Sequence, residues 1–156
     1  MQDRPGKKPA TLYDTDFFAW TQEQVRVLRD RRFDDLDLEH LIEEVEGVGA
    51  FEKREIRSRL TILLSHLLKW TYQPHFRSAS WTSTIAEQRD ALADLVETSP
   101  SLQGYLLTAV AKSYSAARNQ ASRETGMTPA VFPKKLPFAA RDVLDPEFVP
   151  AEPPGT

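Results

Sequence analysis

Residues 63–74 read LLSHLLKWTYQP, and the spacing of the leucines in this run decides the fold class. Leu63, Leu67 and Trp70 recur at intervals of four and three, and Ile56 and Leu60 continue the same stripe upstream, so the run is one face of an α-helix rather than a strand. Pro74 ends it, because proline neither donates to the preceding turn nor lets its neighbour stay helical. The periodicity predicts a long helix over 50–72.

The same three-and-four spacing recurs in four other segments, and no segment alternates with period two. A first helix is expected from Asp14 or Thr15 through FFAWTQEQVRVLRDRR, and a short acidic one over 37–47 with Gly47 and Gly49 as its stop. A fourth begins near Ser80 and closes at Ser99-Pro100. A fifth runs from there to Gly126, with Pro100 at its first position. A short sixth helix fits between Phe138 and Leu144. The chain is therefore expected to be all-α, a single compact bundle of about five helices plus a short C-terminal helix and a wrapping, proline-rich tail.

At 156 residues, 40% of them hydrophobic, the chain supports one sizeable core. A single domain over 11–150 is expected, with a flexible leader over 1–10 and a disordered tail over 151–156. The net charge of −3 provides no global attraction to nucleic acid or anionic lipid. Charge is uneven all the same: residues 33–52 hold eight acids and no lysine or arginine, whereas residues 53–89 hold seven bases and two acids. Mutual neutralisation and solvated faces account for this more simply than a phosphate-binding patch at Lys53, Arg54 and Arg57. With no cysteine there is no disulfide framework, thiolate metal site or cysteine nucleophile, which fits a cytoplasmic location. No run approaches the length of a membrane span.

At about 100° per residue, several polar side chains fall on apolar faces. Gln24 lies among Phe17, Trp20, Val27 and Leu28, which the first helix is expected to bury. Glu44 sits at the edge of the Leu41 and Val48 stripe. Arg59 and His66 lie within the apolar arc of the long helix, whereas Lys69 points further round toward solvent. Gln88 and Arg89 share a face with Trp81, Ile85, Leu92 and Val96, and Ser113, Gln120 and Glu124 follow one another along the alanine-rich face of the fifth helix. Buried groups of this kind need partners. Gln24, Glu44, Arg59, His66, Gln88, Arg89 and Glu124 are therefore candidates for either a sealed network that fixes helix register or a solvent-connected pocket centred on His66.

Specific chemistries find little support. Glu43-Glu44-x-Glu46 lacks the histidine of a Glu-x-x-His di-metal helix, and Glu44 with His66 are too few ligands, so no metal and no cofactor is expected. The serines lack a nucleophile elbow, and the six glycines are dispersed rather than gathered in a phosphate loop. Between two helix ends, QPHFRSASW offers Arg77, Ser78 and Ser80 as a candidate anion site, with simple capping as the alternative.

The combination of YDTDFFAWTQEQ, LIEEVEGVG, HLLKWTYQP, SWTSTIAEQR, TSPSLQGY and a later ETG with FP resembles the bacterial family known as domain of unknown function 29, from about Tyr13 to Pro150. The resemblance implies a compact helical domain and carries no established activity. Trp20, Gln24, Glu43, Glu44, Glu46, His66, Lys69, Trp70, Gln73, Pro74, Trp81, Thr84, Gln88, Arg89 and Glu124 match its motif positions. One departure is Leu136, where the family often has cysteine before proline, which argues against a cysteine-dependent role.

The leading expectation is a non-catalytic intracellular binding module whose partner is another protein. The alternative is a small-molecule binder or small enzyme with His66 as general acid or base. Nucleic-acid contact through Lys53, Arg54, Arg57 and Arg77 is the weakest reading.

Overall fold

The computed structural model describes residues 11–151; the expected leader, and the expected tail beyond Ala151, lie outside the described residues. Among the described residues six α-helices occur in the order α1 (Leu12–Thr15), α2 (Phe17–Arg29), α3 (Leu38–Tyr72), α4 (Ala79–Thr98), α5 (Gln103–Thr125) and α6 (Ala140–Leu144). Short 3-10 turns join several of them, and there is no strand among the described residues. The fold is all-α.

Two boundaries differ from expectation. The first predicted helix is divided at Asp16, whose extended backbone ends α1 and whose side chain accepts the Ala19 N–H at 2.9 Å to cap α2. The helices expected over 37–47 and 50–72 are instead one 35-residue helix, α3, running through both Gly47 and Gly49. Glycine stops a helix when it takes up a left-handed conformation, and among the described glycines only Gly126 does so, at φ 71° behind α5. Within a helix glycine costs only about 1 kcal/mol relative to alanine, and the glutamates and alanine around the pair are good helix formers. A Cβ at position 47 would meet nothing within 4 Å. Gly47→Ala should therefore raise unfolding free energy by about 1 kcal/mol, as read by urea denaturation; an unchanged or lower midpoint would count against a helical Gly47.

By internal contacts the chain divides into two units, Met1–Gly49 and Ala50–Thr156. In the first, Trp20 and Val27 are buried along with Gln24. The Trp20 ring stacks on Phe17 and meets Tyr13 edge-on, and Tyr13 stacks on His40 with centroids 3.9 Å apart. Phe17 and Leu28, expected to be buried, are 49% and 44% exposed. The helices of this unit cover only one side of the stripe on α2 and leave the other side open.

In the second unit, Ile56, Leu60, Leu63, Leu64 and Leu67 of α3 form the core with Ile85 and Leu92 of α4, Leu106, Ala109, Val110 and Ala117 of α5, and Val143 of α6. A second cluster gathers Leu68, Tyr114, Ala121 and Phe132. The proline-rich segment after α5 is held on this core: Tyr114 Oη donates to the Pro133 carbonyl at 2.7 Å, and Arg118 donates twice to that of Pro129. Burying these apolar side chains is the main source of stability, at about 1.5–3 kcal/mol for each fully buried large residue.

Candidate functional site

The polar side chains expected on apolar faces form separate bonded groups, except that the buried Ser113 hydroxyl meets no hydrogen-bond partner among the described residues. On α3, Lys69 lies one turn beyond His66, and it is buried, not solvent-facing as its wheel position predicts. Its ammonium donates to Glu124 Oε2 at 2.6 Å and to His66 Nε2 at 3.2 Å, and it stands 5.1 Å from the centroid of the Trp81 ring. A long lysine stem can turn back over its own helix face toward such partners, which a wheel of Cα directions does not capture. Glu124 also accepts from Gln120 Nε2 at 2.8 Å. Burial alone would raise the Glu124 carboxyl, but the bonds from Lys69 and Gln120 outweigh it and hold the group below its ordinary range.

His66 Nδ1 is 2.9 Å from the Ile62 carbonyl, so the proton sits on Nδ1 and the Nε2 lone pair receives Lys69. Both ring nitrogens are thereby engaged. Burial is the main cause that lowers the His66 pKa, and neighbouring Lys69 adds to it. The imidazole is neutral at pH 7.

Arg59 bridges elements, pairing with Glu55 at 2.7 Å and donating to Gln88 Oε1 at 3.3 Å. Arg89 faces the chain's C-terminal segment. Nε, Nη1 and Nη2 donate to the carbonyls of Val143, Pro146 and Phe148 at 3.0, 3.3 and 2.9 Å. Beside it lies an apolar cavity of about 230 Å³ whose lining includes Leu67, Trp70, Ile85, Phe148 and Pro150. Burial pulls the Arg89 pKa down, partly offset by Asp145, yet a guanidinium stays charged at any physiological pH.

In the first unit, Gln24 Oε1 accepts the backbone N–H of Asp37 at 2.9 Å, and Glu44 accepts the Tyr13 hydroxyl at 2.6 Å. That bond to Glu44 is the chief reason the Tyr13 phenol is pushed up to about 12. The bonded group contains three residues that periodicity alone did not single out. Asp37 accepts from Trp20 Nε1 at 2.9 Å and pairs with His40 Nδ1 at 2.7 Å. The sequence signal for this is an aspartate just before a helix with histidine three residues on, the spacing at which an N-terminal side chain and the next turn meet. Burial would raise the Asp37 carboxyl, but the bonds from His40 and Trp20 prevail and lower it; the bond to Asp37 raises His40.

Around this group α2 and the start of α3 enclose an open groove of about 280 Å³, lined chiefly by Phe17, Trp20, Val25, Leu28, Val45 and Val48. Val45 and Val48 are 70% and 68% exposed.

Elsewhere, Arg77 Nε donates to the Trp70 carbonyl at 2.9 Å with its guanidinium 5.1 Å from the Trp70 ring centroid, which closes the C-terminal turn of α3. Ser78 takes the N-cap position of α4 in extended backbone, and both it and Ser80 are exposed. Of the basic residues on α3, Lys53 stands 5.5 Å from the Tyr105 ring centroid, and Arg54 and Arg57 are exposed. Among the described residues no three His, Asp or Glu side chains are grouped to hold a metal ion, and no helix is long and apolar enough to cross a membrane.

The sequence profile of a family described as "Domain of unknown function DUF29" matches residues 12–149. The chain belongs to the DUF29 family. No curated protein and no solved structure matches it. The DUF29 match spans every polar residue described above.

The two bonded histidines of this DUF29 chain titrate in opposite senses. The folded-state pKa of His40 lies above the ordinary 6.5, so its pairing with Asp37 stabilises fully below pH 6.5 and that contribution is lost as pH rises through the raised value. The folded-state pKa of His66 lies below 6.5, so its contribution is present above pH 6.5 and is lost as pH falls through the lowered value. Imidazole NMR titrations, assigned with His40→Gln and His66→Gln, should give midpoints on opposite sides of 6.5. Coincident midpoints would contradict both environments.

Proposed function

We propose that the chain is a non-catalytic, intracellular protein-interaction module that docks a helical protein surface in the groove between α2 and the start of α3. The observation that carries this reading is the solvent-open apolar lining, above all Val45 and Val48, beside polar groups of Tyr13, Trp20, Gln24, Asp37, His40 and Glu44 that are already bonded to one another. An amphipathic helix laid into such a groove would bury its own apolar face in the same step. The lack of cysteine suits a reducing bacterial cytoplasm.

A ligand-binding or catalytic role for His66 is less well supported, because its two ring nitrogens are engaged by the Ile62 carbonyl and Lys69. A general base needs a free lone pair directed at substrate. The groove reading is tested by Val45→Asp and Val48→Asp in the full chain. Both positions are exposed, so stability should change by no more than about 0.5 kcal/mol, while capture of binding partners by crosslinking is lost. Identical partner sets for the parent and both variants would overturn the proposal.

A further inference from the structure

From the charge pattern beside the groove, we infer that its occupant is a second copy of this chain, an inference that rests on the groove being an interaction surface. On α3 the apolar stripe continues through Leu38 and Ile42, which are 61% and 51% exposed. At about 100° per residue, Glu39, Glu43 and Glu46 fall together on the flank next to Ile42, and all three are exposed. On α2 the flank beyond Val25 carries Arg29, and Arg26 lies further round the helix, 3.6 Å from Glu23; both arginines are exposed. The groove is therefore bordered by a cation on one side and anions on the other.

The bonds from Tyr13 to Glu44 and from Trp20 and Gln24 to Asp37 pair early residues of one segment with late residues of the other, so α2 and the start of α3 run antiparallel. A two-fold axis along the helix direction lays α2 of one copy over α3 of the other. The two apolar stripes then face each other, and each arginine flank meets a glutamate flank, completing an antiparallel four-helix arrangement. The alternative axis, across the helices, stacks α3 on α3 and sets acid against acid. An isologous pairing must be self-complementary, and opposite charge on the two flanks meets that condition. A uniformly basic partner helix would find only one of the flanks favourable.

The test is sedimentation of the full chain across the micromolar range, with circular dichroism to confirm that each variant folds. The parent should sediment at twice its 17.7 kDa chain mass, and Val45→Asp should weaken the dimer by about a hundredfold. Arg26→Glu with Arg29→Glu makes both flanks acidic, and Glu39→Lys with Glu43→Lys makes α3's flank basic. Each double variant alone should be monomeric, and mixing the two should restore a dimer. A monomeric parent, a dimer that survives Val45→Asp, or a mixture that stays monomeric would overturn the inference. If the parent is monomeric yet captures a different protein in a Val45-dependent way, the groove keeps its function with another occupant. If it is monomeric and captures nothing through the groove, both readings fall.

Discussion

Arg89→Ala should destabilise the protein by about 3–5 kcal/mol and release the segment after α6. The side chain is 6% exposed, and its guanidinium is the common donor to the carbonyls of Val143, Pro146 and Phe148. A charged donor contributes about 1.5–3 kcal/mol per bond, and truncation leaves three carbonyls without their partner, that of Val143 in a buried bond and those of Pro146 and Phe148 in part-buried ones. The three bonds form one unit, so their losses do not simply add. Arg89→Lys should recover only a small part, since one ammonium cannot present donors in the planar fork that reaches three carbonyls. Urea unfolding reads the stability, and hydrogen exchange across residues 143–148 reads the release. A tail that keeps its protection in Arg89→Ala would show that apolar packing of Val143 holds it unaided.

The second large effect is an asymmetry between the partners of one ion pair. The Lys69 side chain is 8% exposed, whereas that of Glu124 is 37% exposed. Glu124→Ala strands an ammonium in the core, and the expected cost is about 2–3 kcal/mol, below the 3–5 kcal/mol of a fully buried pair because water reaches the carboxylate side. Lys69→Met leaves the carboxylate where water can solvate it and keeps the apolar stem, so it should cost less than about 1 kcal/mol. Chemical denaturation of both variants at neutral pH tests this. Equal losses would mean that the pair is solvated on both sides.

The acid limb of the pair follows from the lowered carboxyl of Glu124. Its contribution is full above the ordinary 4.5 and is lost as pH falls through the lowered folded-state value. The stability difference between the parent and Glu124→Ala should accordingly narrow on acidification below pH 4.5.

Much of this arrangement is legible in the sequence. The helical class follows from spacing of three and four around Leu63, Leu67 and Trp70, and the stop at Pro74 and the left-handed exit at Gly126 follow from backbone chemistry. That Gln24, Gln88 and Arg89 are buried follows from wheel position alone. The failures are equally specific. Gly47 and Gly49 looked like a stop, but a glycine's freedom permits a break without requiring one, and the strong helix formers on either side carry α3 through.

Local pattern therefore determined the helices, most of their ends and which polar residues lie on apolar faces, because those properties depend on neighbours three or four residues away. Only tertiary structure decided which partner each polar residue meets: Arg89 its three tail carbonyls, Lys69 its glutamate across 55 positions, and Gln24 the amide of Asp37. It also decided that Phe17, Leu28 and Val48 stay exposed. An apolar stripe records that a helix face favours burial, but whether anything covers that face depends on how many helices the unit brings to it.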